Sequence, residues 1–226
     1  MNGSMKCVAA LSASGLLLAL PCAHADAALV LELESGATTV TIVDGGVGDS
    51  NPAPGAVEFI GSVGDFDVNT SVGVSKPLTG SPFDPKLNLN SLNATSTTPA
   101  TLTVRLTDTD FLAPSGAVSA ELGFGGTTNG SASLDAYVDS SNVEFGTATP
   151  AGSLGPFFPI AFDDDASTPV AVTSPYSATL ESTVIHDDAG DVTSFSGELR
   201  VVPEPGSLAL LALGAAAVAA RRRRRA

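Results

Sequence analysis

Few side chains in this 226-residue sequence have the type and spacing that chemistry needs. His186 is followed by Asp187, Asp188 and Asp191, so a Ser-His-Asp relay can be drawn, but no Gly-x-Ser-x-Gly elbow presents a nucleophile to it. A polar residue closing a strand before the turn Asp187-Asp188-Ala189-Gly190-Asp191 accounts for the same histidine without catalysis. The other histidine is His24, near the N-terminus, which excludes multi-histidine zinc sites in the rest of the chain. The carboxylates, 24 Asp and Glu in all, are too plentiful for any pair to stand out as the acid and base of a glycosidase.

Calcium is the ion the sequence accommodates best, because hard cations need several oxygen ligands at once. Asp163-Asp164-Asp165, and Asp187-Asp188 with Asp191, read as loops where carboxylates and backbone carbonyls could converge. Neither follows the Asp-x-Asp-x-Asp-Gly spacing of an EF-hand, and a solvated acidic loop is the better explanation of each. Asp163, Asp164 and Asp165 are therefore speculative calcium ligands, and no other cofactor is expected.

The positions of the basic residues divide the chain. Lys6 precedes an apolar run from Cys7 to Leu20, and Ala23-His24-Ala25 supplies the small-x-small pattern of a signal-peptidase site. Residues 1–25 thus read as a secretory signal, with Ala23 and Ala25 flanking the cut. Both cysteines, Cys7 and Cys22, fall inside it, so a chain cut after Ala25 has neither a disulfide nor a thiolate. At the other end, residues 202–226 begin with Val202-Pro203-Glu204-Pro205-Gly206 and continue with fourteen uncharged residues, 207–220. Arg221, Arg222, Arg223, Arg224 and Arg225 follow. As a helix the uncharged stretch is about 21 Å long, short of the ~30 Å hydrocarbon core but spanning it if the arginines snorkel and the bilayer thins. The positive-inside rule keeps the arginines cytoplasmic and leaves everything before Pro203 outside, the same topology that the N-terminal signal gives.

This tail resembles the PEP-CTERM sorting signal, which has a Pro-Glu-Pro motif, then a short hydrophobic helix, then a terminal arginine cluster. The resemblance implies processing near Pro203-Glu204-Pro205 by an exosortase, a membrane-embedded protease of Gram-negative bacteria, after signal-peptidase cleavage. It also implies transient inner-membrane anchoring with the passenger in the periplasm, then delivery to the cell surface or an exopolysaccharide and biofilm matrix.

Between the signals, residues 26–201 form the passenger. From Asp26 to Val202 there are 23 acidic residues against 4 basic ones, Lys76, Lys86, Arg105 and Arg200, a net −19 compared with −14 for the whole chain. Such a surface excludes nucleic acid as a partner, because nothing would neutralise phosphates. Thr101-Leu102-Thr103-Val104-Arg105-Leu106-Thr107 alternates polar and apolar residues as a half-buried strand does. Similar alternation recurs at Leu29, Leu31 and Leu33; Val40 and Ile42; Leu87 and Leu89; Leu134, Ala136 and Val138; from Tyr176 to Val184; and from Phe195 to Val201.

Turn-forming clusters such as Asp44-Gly45-Gly46, Asn51-Pro52-Ala53-Pro54-Gly55 and Gly125-Gly126-Thr127-Thr128-Asn129-Gly130 separate the runs. The expectation is an all-β passenger, an antiparallel sandwich of about ten strands with jelly-roll wiring as one form, flanked by the signal helix and a C-terminal transmembrane helix. Its layout, from Thr39-Val40-Thr41-Ile42-Val43-Asp44-Gly45-Gly46 through Phe66-Asp67-Val68-Asn69 to Thr107-Asp108-Thr109-Asp110-Phe111, is similar to other PEP-CTERM passengers, which implies no known catalysis. Two functions remain open: a non-enzymatic surface or matrix protein, and a carbohydrate-binding or carbohydrate-active module. The absence of Trp counts against the second, because sugar platforms lean on aromatic faces.

Overall fold

The computed structural model describes residues 29–204 and Gly206. The expected signal peptide with Ala23 and Ala25, Pro205 of the motif, the 207–220 helix and Arg221 to Arg225 lie outside the described residues.

Twelve strands follow one another, two more than about ten: β1 (Val30–Ser35), β2 (Thr38–Val43), β3 (Ala56–Val63), β4 (Phe66–Val74), β5 (Lys86–Ser96), β6 (Ala100–Phe111), β7 (Gly116–Thr128), β8 (Ser131–Asp139), β9 (Thr149–Phe157), β10 (Ala161–Val172), β11 (Tyr176–His186) and β12 (Val192–Pro203). They form two six-stranded antiparallel sheets, β2-β1-β6-β11-β8-β9 and β10-β7-β12-β5-β4-β3. No helix occurs among the described residues. From β5 onward the pairing is nested, β5 with β12, β6 with β11, β7 with β10 and β8 with β9. That is the wiring of a jelly roll, and β1 to β4 widen it by two strands per sheet.

The period-two pattern decides which face of each strand is buried. In β6, Leu102, Val104 and Leu106 are fully buried while Thr101, Thr103 and Arg105 face outward. Ala132, Leu134, Ala136 and Val138 do the same in β8. Between the sheets Phe124 anchors an aromatic cluster, with Phe195 edge-on at 5.0 Å and Phe162 at 4.9 Å. Phe111 and Tyr176 pack at 5.9 Å toward the opposite end.

Two readings from the sequence are corrected. Gly125-Gly126-Thr127-Thr128 is not loop but the last part of β7, paired with both β10 and β12. Gly126 belongs there because a Cβ would sit 2.8 Å from Phe195 Cα on the neighbouring strand. Asp163, Asp164 and Asp165 are likewise in strand β10 and not in a loop. An edge strand tolerates three successive acids and Pro169 because one side of its ladder and one face meet water.

Candidate functional site: the end of β12 and the polar groups around it

The motif Pro203-Glu204-Pro205 begins inside the fold. β12 lies between β7 and β5, and its ladder to β7 runs to Val202 opposite Ser119 and Pro203 opposite Val118. Pro203 closes the strand because it has no N–H to give the ladder. Just before it, the Val201 N–H donates to the Pro85 carbonyl at 3.2 Å. Backbone up to Val201 is therefore held on both sides and Val202 and Pro203 on the β7 side, so the ladder ends just before Glu204.

Five connections share this end of the sandwich with the β12 exit: residues 44–55, 75–85, 112–115, 140–148 and 173–175. Backbone and side-chain hydrogen bonds tie them into one cap. Ser75 N–H donates to Gly55 O at 2.9 Å, and Leu112 N–H to Pro82 O at 2.7 Å. Asp110 N–H donates to Asn142 Oδ1 at 2.8 Å. A buried ion pair fastens the cap to the core. Lys76 Nζ lies 2.6 Å from Asp108 Oδ1, with the two side chains 9% and 1% exposed. Asp108 also accepts from Ser75 Oγ at 2.6 Å and Thr109 N–H at 2.8 Å, and Lys76 sits 4.3 Å above the Phe111 ring. Burial pushes the Asp108 carboxyl above its ordinary range, against the opposing pull of the ammonium.

His186 does close β11, but in the core. Its Nδ1 is 2.8 Å from Ser96 Oγ and its Nε2 2.8 Å from Thr193 Oγ1, and Phe66 packs 5.0 Å away. Desolvation lowers its pKa below 6.5. Both ring nitrogens are occupied by hydroxyls, Ser96 is 1% exposed, and neither Asp187 nor Asp188 bonds the ring. Nothing in solution reaches this serine, so the Ser-His contact is a satisfied buried polar group. Sequence reasoning could not find it, since Ser96 lies 90 residues from His186.

All four bases of the described residues face carboxylates: Lys76 with Asp108, Lys86 with Asp84 at 2.9 Å, Arg200 with Asp84 at 3.8 Å, and Arg105 with Glu181 at 2.6 Å and Glu32 at 2.9 Å. The hydrogen bond that Arg105 donates to Glu181 leads in raising its pKa further. Apart from the buried Asp139, the acidic surplus is left partly or fully exposed.

One groove of about 360 Å³ opens on the outer face of the β10-β7-β12-β5 sheet. Strand register places Asp165, Gly123 and Glu198 in one cross-strand row and Ser167, Glu121 and Arg200 in the next. Gly123 carries no side chain between two acids and has open space above it, so the backbone forms the floor. Asp163 and Asp165 share this face of β10 while Asp164 points the other way, because alternate residues of a strand diverge. The Asp191 carboxylate is turned onto the Asp187 and Asp188 N–H groups at 3.2 and 3.0 Å. Among the described residues no three His, Cys, Asp or Glu side chains gather so as to hold a metal ion.

The structure defines an acidic antiparallel sandwich whose last interior strand runs directly into a sorting tail. Residues 201–225 match the model of the PEP-CTERM protein-sorting motif. The chain carries the PEP-CTERM sorting motif at this end, which implies export, processing by an exosortase and sorting toward the cell surface. No curated protein matches the chain. Among solved structures it is similar to the enzymatically active domain of tailspike protein 4 of bacteriophage CBA120, at 13% identity and TM-score 0.31, over 51% of this chain and 17% of that one. It is also similar to isomalto-dextranase of Arthrobacter globiformis T6 complexed with panose, at 7% identity and TM-score 0.26, over 77% of this chain and 30% of that one. The chain spans less than a third of either, and likenesses at this level bear on neither its fold nor its function.

Proposed function

We propose that this is a non-catalytic surface or matrix protein, exported by the general secretory route. The 207–220 helix and Arg221 to Arg225 hold it with the passenger outside until an exosortase cuts beyond Pro203. The passenger then joins the cell surface or an exopolysaccharide matrix. The observation that carries this reading is the meeting of the matched motif with the end of β12: the first backbone free of the ladder falls at Glu204, inside Pro203-Glu204-Pro205. A non-catalytic role is supported by the occupied ring of His186 and by the pairing of all four described bases. Replacing Pro203, Glu204 and Pro205 by alanine is expected to leave full-length protein in the membrane fraction. Release at the wild-type rate would refute exosortase dependence.

A second reading, a carbohydrate-binding or carbohydrate-active module, is favoured by the groove over Gly123, where Asp165, Glu121 and Glu198 offer acceptors to a polyhydroxyl ligand beside Arg200. A glycan array separates the two: specific binding lost on E198A would replace the first reading with this one.

A further inference from the structure

The cap at the β12 exit carries exposed apolar side chains that the proposed sorting function does not use. Val47, Leu78, Phe83, Leu112 and Val143 are 99%, 56%, 67%, 44% and 49% exposed, and each sits in one of the connections at that end. Phe83 and Leu112 flank the Pro82 carbonyl that accepts the Leu112 N–H, and Leu78 belongs to the same connection as Phe83. That connection also touches the departing strand, through the Pro85 carbonyl and Val201 N–H.

The length of chain beyond the strand says what covers these side chains. Only residues 204–207 separate Pro203 from Leu208, where the uncharged stretch becomes continuously apolar. Fully extended, four residues reach at most about 14 Å. The polar interface on each side of the hydrocarbon core is roughly 5–8 Å deep. A passenger tethered this closely has its exit end at the lipid headgroups, and five large apolar side chains are exposed on that end among its polar and acidic ones.

The geometry points to a lipid-docking surface: before processing, the tips at Leu78, Phe83 and Leu112 insert into the outer interface of the bilayer and hold the passenger upright over its own anchor. The inference rests on the anchoring role proposed for residues 207–220. The favoured surface is a zwitterionic one, because a passenger of net charge −19 is repelled by anionic lipid. The opposite end also exposes Phe158 and Ile160, but these lie a full strand away, about 40 Å for the twelve residues of β12, and serve as the internal control.

The chain contains no Trp, so one substitution makes a clean reporter. The full chain carrying F83W, and separately F158W, is reconstituted into phosphatidylcholine vesicles with and without a lipid that carries a quencher near the headgroup. Flotation with the vesicles reports the anchor, and quenching reports the docking. The F83W emission is expected to shift to the blue and to lose roughly half or more of its intensity to the quencher, as interfacial indoles do, while F158W is unaffected. Adding L78E and L112E to F83W should abolish the quenching without changing flotation. A floating chain with F83W no more quenched than F158W overturns the docking surface and leaves the anchor standing. A chain that does not float overturns the anchor and the docking surface together.

Discussion

Replacing Lys76 by methionine tests how the cap is fastened to the core. The substitution keeps an aliphatic stem of similar length but removes the ammonium that lies 2.6 Å from Asp108, whose side chain is 1% exposed, and 4.3 Å above the Phe111 ring. The carboxylate keeps two donors, Ser75 Oγ and Thr109 N–H, and loses its counter-charge. Removing one partner of a buried pair destabilises by about 3–5 kcal/mol, and in a domain of this size each kcal/mol lowers Tm by roughly 2–4 °C, so a fall of roughly 6–20 °C is expected.

The sign with pH follows from Asp108. Its folded pKa already lies above 3.8 through burial, and losing Lys76 raises it further. Between the unfolded and folded values the native state binds more protons than the unfolded chain, so lowering the pH through that window relieves the penalty. Thermal melts of the full chain in mild detergent at pH 7 and about pH 4.5 should show the K76M deficit narrowing in acid. K76M combined with D108N should recover most of the loss at pH 7, since no charge is left buried. A deficit at pH 7 under about 3 °C, or one unchanged by pH, would refute the reasoning.

Three further outcomes follow from the buried polar groups and the glycines. Burial holds the folded His186 pKa below the 6.5 of the unfolded chain, so stability is lost as pH falls below that value; urea midpoints at pH 7.5 and 5 should differ less for H186Q than for the wild type. The Tyr176 hydroxyl is buried without a hydrogen-bond partner, so Y176F should be neutral or stabilising by up to about 1 kcal/mol in the same titration, and a clear loss would reveal a bound hydroxyl. G126A should lower stability by about 1–3 kcal/mol because its Cβ would meet Ser194 and Phe195 backbone, whereas G123A should leave stability nearly unchanged in the groove floor.

Much of the sandwich was legible because half-buried strands repeat every two residues. β6, β8 and β12 alternate cleanly, and the runs read at 101–107, 134–138 and 195–201 fall inside them, though each strand extends further. Five strands escaped: register shifts interrupt β3 and β4, and other features override the pattern in β7, β9 and β10. β7 holds Gly123, Gly125 and Gly126, which suggest turns, yet Gly126 is needed so that Phe195 can approach. β9 and β10 are sheet edges, where Pro150, Pro156, Pro169 and three consecutive aspartates are tolerated because one side is unpaired. Nested pairing such as β5 with β12 brings together residues about a hundred positions apart, and local periodicity carries no record of it. The partners of His186 and Asp108 were hidden for the same reason. The sorting motif was legible because it is a short linear signal whose meaning needs no tertiary contact.

The most direct test of the central claim is the intact mass of the passenger recovered outside cells that do or do not carry an exosortase. With the enzyme, the released protein should end at or after Pro203, because backbone before it is locked into β12, and should lack residues 207–226. Without the enzyme, the chain should remain membrane-bound with Arg221 to Arg225 intact. Released protein of the same mass in both cells, or a C-terminus within β12, would contradict the account.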